Sequence, residues 1–394
     1  MQDRLKILMG MDAYFPNVDG VVNCMHNYLV NLTGKNDVLA IVPKAGKETG
    51  DFPYPIRRFN SIKIPFYGSY SGIPQLDKKF KRDIYRQNFD IVHVHSPFNM
   101  MKFALSYAKE KNIPAVATFH SNMRPIFQKI FKNDAMAEKV VQNMGKMYNR
   151  FDEVFVCSEK VAEQARSFGY TGKFTYLPFG TNMARPAGLG PLKREFEERY
   201  DVGEDELIFL FVGRIVKLKR IDFILDALKI CRERGLKFRF FLAGDGMDFS
   251  YHTEYAKKAG LADICKFCGF VPDVQMPSLY ARADLFLFPS LYDNFGLVKV
   301  DAAAHETPGV FIRDSNAAYD IADGENGFLA DNTPEAFAGR ILEAVADRGR
   351  LKAIGKTASR TLYTTWAQAT ALLENEYRRI IEERRNADQI KSAT

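Results

Sequence analysis

The apolar run LIFLFVG (207–213) ends on Gly213, Arg214 follows at once, and Lys219 stands five residues after that arginine. Glycine lets the chain turn sharply at a strand end, and the two cations would lie beside the start of the helical pattern 220–235, where anions are favoured. Such a group is a candidate diphosphate clamp. By residue type alone it is equally a solvated basic turn, because VKLKR (216–220) is also just a basic loop. The next apolar run, FRFFLAG (238–244), closes on Gly244 in AGDG (243–246), where a tight strand-to-helix turn explains the glycines as well as a ligand does. Further on, Asp293 falls in a loop after ADLFLFPS (283–290), Gly296, Leu297 and Val298 would open a helix, and Asp301 lies one and a half turns into it. Amides at a helix start suit phosphate, and carboxylates suit the hydroxyls of a sugar or ribose.

These residues need strands and helices that end at one edge. LKILMG (5–10), VLAIV (38–42), DIVHVH (90–95), AVATFH (115–120), EVFVCS (153–158) and FTYLP (174–178) are short and apolar, and most are separated by helix-length amphipathic stretches. That alternation predicts a parallel sheet covered on both faces. TNMARPAGLGP (181–191) reads as a linker, after which a second series begins with 207–213, 238–244, KFCGFV (266–271), 283–290 and PGVFI (308–312). The division expected is a first domain over 1–181, a second over 192–365 and a closing helical segment over 366–394, its helix running from Trp366 to about Asn386. The fold class is α/β, with two doubly wound domains and the active site in the cleft between them.

With 394 residues, 46% of them hydrophobic and 26% charged, the chain has material for two cores and no tract that argues for disorder. No stretch reaches the roughly 18 apolar residues of a membrane span, and MQDRLKILMGMD places charges inside what would have to be a signal segment. A cytoplasmic protein is expected. Its five cysteines read as reduced thiols; Cys265 and Cys268 have zinc-knuckle spacing, but no second pair follows, so no metal site is assigned. The net charge of +7 is uneven: residues 1–182 hold 25 Lys and Arg against 16 Asp and Glu, residues 183–394 hold 30 against 32. An anionic membrane or nucleic acid would meet the first half. Residues 56–86 (eight cations, two acids) and 123–150 (six cations, two acids) interleave charge with aromatic and aliphatic side chains, which suits an anionic bilayer, although the same apolar residues could equally face a core. Neither segment has an RNA-binding signature, so no nucleic-acid partner is expected.

Taken together, FVGRIVKLKRIDFILDAL, PSLYDNFGLVKVDAAAHETPGVF, DIVHVHSPF, AVATFHSN, VFVCSEKVAEQARSFG and YLPFGTN resemble, in order and spacing, the segments of the retaining glycosyltransferases of family four, over essentially residues 5–386. The resemblance implies the GT-B fold, two Rossmann-like domains facing a central cleft with the C-terminal helix returning to the first. It also implies roles. Arg214 and Lys219 would neutralise the donor diphosphate; Phe295, Gly296, Leu297 and Val298 would hold phosphate and sugar through their backbone; Asp293 would touch sugar hydroxyls and Asp301 the ribose. His120 matches the family's histidine near the transferred sugar, and Gly20 the glycine loop that approaches the diphosphate. The sequence departs from the family at Asp293 and Asp301, where Glu is usual, at Leu218 for Glu, at Arg220 for Gly, and at His305-Glu306 for Cys-Gly.

The loop DAYFPNVDGVVN, with HSPF and TFHSN, resembles most the branch that glycosylates diacylglycerol and related lipids. The implied activity is hexose transfer from a nucleotide-diphosphate sugar, a UDP-sugar such as UDP-glucose favoured, to a lipid or membrane-associated acceptor such as diacylglycerol. No cofactor is expected, the nucleotide sugar being a substrate, and the lack of any Asp-x-Asp agrees with transfer without metal. The alternatives are a soluble sugar or growing polysaccharide as acceptor, and a nucleotide-sugar-binding protein without turnover.

Overall fold

The computed structural model describes residues 3–16, 19–46, 51–63, 70–120 and 122–393. The chain forms two compact units, Met1–Phe179 with Trp366–Thr394, and Gly180–Thr365. Residues 181–191 thus belong to the second unit.

The first unit is built on β1 (Lys6–Gly10), β2 (Asp37–Pro43) and β3 (Ile56–Phe59), a small antiparallel pair β4 (Ile62–Lys63) and β5 (Tyr70–Ser71), then β6 (Ile91–Val94), β7 (Ala115–Thr118), β8 (Glu153–Val156) and β9 (Phe174–Tyr176). Seven of these make one parallel sheet in the order β3-β2-β1-β6-β7-β8-β9. Its central strands are mostly apolar because both faces are covered; Ile7, Leu8, Met9, Ile91 and Val92 are fully buried. The helix Gly20–Leu32 follows β1, started by Asp19, whose carboxylate accepts from the Val21 and Val22 amides.

The last helix, Trp366–Ala393, runs seven residues beyond the expected end and packs on this same sheet. Ala369, Leu373, Tyr377, Ile380 and Ile381 form its buried stripe at helical spacing. Trp366 meets Tyr28 edge to face at 5.4 Å, and the Tyr377 hydroxyl hydrogen-bonds His93 Nδ1 at 2.6 Å. Arg379 pairs with Glu153 at 2.5 Å.

The second unit carries β10 (Ile208–Val212), β11 (Arg239–Ala243), β12 (Cys265–Gly269), β13 (Leu285–Phe288), β14 (Gly309–Ile312) and β15 (Phe328–Ala330), again all parallel, in the order β12-β11-β10-β13-β14-β15. Its core is aromatic, with Phe209, Phe211, Phe240, Phe241 and Phe286 fully buried. In each sheet the order turns back between two central strands, β1 and β6 in the first and β10 and β13 in the second. Chains leaving the carboxyl ends of those pairs diverge and open a crevice, the place where doubly wound sheets bind ligands.

The outer strands β3 and β15 were not foreseen. The first holds Arg57 and Arg58 with only Phe59 fully buried, and the second is three residues long. Both are edge strands, where half the surface is free and the apolar run shrinks below what periodicity can detect.

Candidate functional site

In the second unit the predicted residues flank the turning point of the strand order. Gly213 and Arg214 follow β10, Lys219 closes the short turn Lys217–Lys219, and residues 293–298 follow β13. Gly213 and Gly244 have φ of 149° and 145°. A Cβ on Gly244 would lie 1.9 Å from the Gly213 carbonyl oxygen, and the Gly213 amide donates to Ala243 at 3.0 Å, so the close approach of two strand ends by itself demands that glycine.

Arg214 is exposed, and nothing among the described residues pairs with its guanidinium. Lys219 is differently placed. Its ammonium donates to both carboxylate oxygens of Asp293, at 2.6 and 2.7 Å, and lies 5.7 Å from the Phe288 ring centre. The structure therefore brings together the cation expected at phosphate and the carboxylate expected at sugar hydroxyls. Next to it, Arg220 stands in the left-handed region, φ 57°, at the position where the family has glycine. That conformation costs about 1–2 kcal/mol for a non-glycine residue. Arg220 offsets it by donating to the Pro289 carbonyl at 3.2 Å and lying over the Phe223 ring at 4.1 Å.

Gly296, with φ of 72°, turns the chain into the helix Leu297–Ala304, whose start carries no side-chain cap and no acidic residue. The Leu297 and Val298 amides thus have no side-chain acceptor at the helix start, an arrangement that suits an anion, while Phe295 is buried. Asp301 accepts a short hydrogen bond from Thr181 Oγ1. Burial raises its pKa to about 6, against the Thr181 bond, which lowers it, and Asp273 adds repulsion. Thr181, read above as part of a linker, is thus the hydrogen-bond partner of a predicted site residue, which composition concealed.

Lys299 was also missed. It is 1% exposed, donates to the Ala317 carbonyl at 2.8 Å and to Asp320 at 2.5 Å, and lies 4.7 and 5.0 Å from the Phe295 and Tyr319 rings. A buried ammonium two residues into the helix Leu297–Ala304 locks that helix to the following loop. Asn316 adds a second tie, its side-chain amide donating to Asn294 Oδ1 at 2.8 Å. The only signal in the sequence was one lysine inside the apolar turn LVKVDAAA.

In the first unit, His120 follows β7 and hydrogen-bonds His95 Nδ1 through Nε2 at 2.9 Å, with its ring stacked on Phe179. Burial lowers its pKa to about 3, so it is a neutral imidazole at ordinary pH. Gly20 opens the helix after β1, and a Cβ there would meet no atom within 4 Å. Packing inside the first unit gives no reason for glycine at that position. Asp12, after β1, caps the helix Asn99–Lys111 by accepting from the Met100 amide at 3.0 Å and binds Ser96 Oγ at 2.6 Å.

Two family models match the chain: "Glycosyltransferase Family 4" over residues 18–185 and "Glycosyl transferases group 1" over 193–361. Among curated relatives, the alpha-monoglucosyldiacylglycerol synthase of Acholeplasma laidlawii is 24% identical over 84% of this chain and 86% of its own, and that of Streptococcus pneumoniae 23% over 86% and 78%. D-inositol 3-phosphate glycosyltransferase 2 of Catenulispora acidiphila is 31% identical over 49% of this chain and 48% of its own. The solved structure of Anabaena HepE with UDP and glucose superposes with a TM-score of 0.73 at 18% identity, covering 95% of this chain and 99% of that one. Sucrose-phosphate synthase from Thermosynechococcus elongatus gives 0.72 at 17%, covering 96% and 100%. These structures share the two-domain α/β architecture.

The Lys219–Asp293 pair yields a prediction. Asp293→Asn releases the ammonium, and inorganic pyrophosphate is expected to bind roughly fivefold more tightly, since a partly exposed ion pair contributes up to about 1 kcal/mol. Titration calorimetry checks this, and equal or weaker binding counts against competition between Asp293 and phosphate.

Proposed function

Because the chain belongs to the GT-B glycosyltransferases, with a Family 4 model in its first half and a group 1 model in its second, we propose that it transfers a hexose from a UDP-sugar to a lipid such as diacylglycerol, retaining configuration. The observation that carries the lipid reading is the match, along 84% and 86% of the chain, to two alpha-monoglucosyldiacylglycerol synthases. The inositol-phosphate enzyme matches only half of it, which favours the lipid over a soluble acceptor.

Cleavage of the anomeric bond leaves an oxocarbenium-like sugar and a diphosphate, so the main demand is to stabilise the leaving group. Arg214, Lys219 and the Leu297 and Val298 amides supply that stabilisation in this reading, without an ion. The acceptor hydroxyl attacks from the face the diphosphate is leaving, and its proton passes to the departing phosphate oxygen. No enzyme nucleophile is needed. Asp293 takes sugar hydroxyls once Lys219 turns to phosphate, Asp301 takes the ribose, and the neutral His120 offers the sugar a hydrogen bond rather than a charge. Gly20 leaves room for the diphosphate.

The basic first half bears on the acceptor. Within the segments noted above, Phe127, Val141 and Met144 point into the core, but Ile126, Ile130, Met136, Ile62 and Leu76 are exposed beside lysines and arginines. Ile126 and Ile130 are one turn apart on the helix Arg124–Phe131, with Lys129 between them. No helix among the described residues is long and apolar enough to cross a membrane. We take this surface as the seat of peripheral binding to an anionic, cytoplasm-facing leaflet.

Three measurements test the reading. Lys219→Ala should lower turnover of UDP-glucose with diacylglycerol by about 10²–10³-fold; wild-type rates in the variant, or no transfer by either protein, would defeat the clamp or the activity. The raised pKa of Asp301 means that its carboxylate, and with it a ribose acceptor, is present above about pH 6 and lost below. Affinity for UDP-glucose, whose diphosphate carries no proton in that range, should therefore fall as pH drops through 6 in the wild type and stay level in Asp301→Asn; parallel pH profiles would remove Asp301 from the ribose. Finally, Ile126→Ser with Ile130→Ser should release the protein from phosphatidylglycerol vesicles at low salt while leaving its melting temperature within a few degrees. Undiminished co-sedimentation would sink this docking surface.

A further inference from the structure

At the carboxyl edge of the first unit's sheet three residues from three elements meet: Cys24 on the helix Gly20–Leu32, His95 after β6 and His120 after β7. One ligand-capable atom of each lies within 4.8 Å of the other two. Cys24 is fully buried, His95 is 2% exposed and His120 is half-buried. His95 gives Nδ1 to the contact with His120, but its Nε2 has no partner, which is uncommon for a buried polar atom. The adjacent His93 differs. Both its nitrogens are engaged, by Tyr377 and Thr118, and its ring rests 4.1 Å from that of His95, fixing the plane of the latter. A neutral imidazole offers a lone pair to a metal through whichever ring nitrogen carries no proton.

We propose that Cys24, His95 and His120 form a site for a borderline-soft divalent cation of the zinc class, with one coordination position left open. Two imidazoles and a thiolate suit zinc or cobalt, whereas magnesium and calcium seek oxygen. Ligand atoms around a tetrahedral zinc stand about 3.3–3.8 Å apart, so the trio needs to close by no more than an ångström or so. Binding exchanges the thiol proton for the ion: the S–H bond breaks, the sulfur–metal bond forms, and one proton leaves to solvent. Such an ion is not a helper of transfer. It occupies His120, the residue placed at the sugar under the proposed function, and so inhibits. That consequence rests on the functional reading; the binding does not.

The test uses the full chain, freed of metal, with Co²⁺ as probe. The wild type should bind one Co²⁺, show thiolate-to-cobalt charge-transfer absorption and release one proton per ion. Zn²⁺ should abolish the band by competition. Cys24→Ala should lose the band, weaken Zn²⁺ at least about 100-fold, keep its rate of transfer and escape inhibition by Zn²⁺. Cys231→Ala, which removes a buried thiol of the second unit, should behave as wild type, and His95→Asn serves where Cys24→Ala fails to fold, judged by circular dichroism and melting. A wild type without the band, or a band that survives both Cys24→Ala and His95→Asn, overturns the site. A normal band with transfer indifferent to Zn²⁺ overturns the inhibition alone. Metal-free protein that never transfers sugar, yet shows the band, marks failure of the functional reading and leaves the site standing.

Discussion

A parallel sheet joins successive strands only by long crossovers, and the helices in those crossovers cover both of its faces. Everything else in each unit follows from that. The strands must be largely apolar on both sides, as β1, β10 and β13 are, and a polar side chain within them, such as His93 in β6, is taken up by buried hydrogen bonds, so little is left to spare for chemistry. Polar residues are displaced to the loops at strand ends. Where the strand order turns back, two such loops diverge, and the chain there can expose amides, cations and carboxylates without burying them unpaired. Gly213 and Lys219 after β10, the 293–298 loop after β13, and Asp12 and His95 after β1 and β6 all hang from those points.

This origin explains how much could be read in advance. The inner strands stand out in the sequence because double-sided burial leaves unbroken apolar runs, whereas residue type alone leaves Arg214 and Lys219 equally a solvated basic turn, and the roles expected of them, Asp293 and Asp301 come from the resemblance of whole segments in order. The edge strands β3 and β15 lack that contrast. The pairings were out of reach altogether: Thr181 and Asp301 are 120 residues apart, Lys219 and Asp293 are 74 apart, and no local pattern couples them. Gly244 shows the converse, a glycine that a turn or a ligand explains equally well in the sequence and that the Gly213 carbonyl at its side already demands. In the segment 123–150, periodicity could not separate Met144, which is core, from Met136, which is surface, because both lie on one amphipathic helix.

The helix Leu297–Ala304 illustrates how such a loop is kept in one shape. Desolvating the Lys299 ammonium is costly, and the carbonyl of Ala317, the Asp320 carboxylate and two aromatic faces have to compensate together. An arrangement that needs all of its partners tolerates few alternatives, so Leu297 and Val298 present their amides in a fixed direction. Arg220 acts in the same way on the opposite loop, where its hydrogen bond to Pro289 ties the β10 side to the β13 side.

The contact between Lys219 and Asp293 has a consequence for selectivity. Free phosphate can draw the ammonium away only by leaving the Asp293 carboxylate stranded beside a second negative charge, and a neutral sugar can satisfy the carboxylate only by stranding the ammonium. A molecule that carries both a diphosphate and sugar hydroxyls resolves the two at once. Under the proposed function the pair would thus work as a two-key lock, shut against the fragments of a nucleotide-sugar donor and opened by the intact molecule.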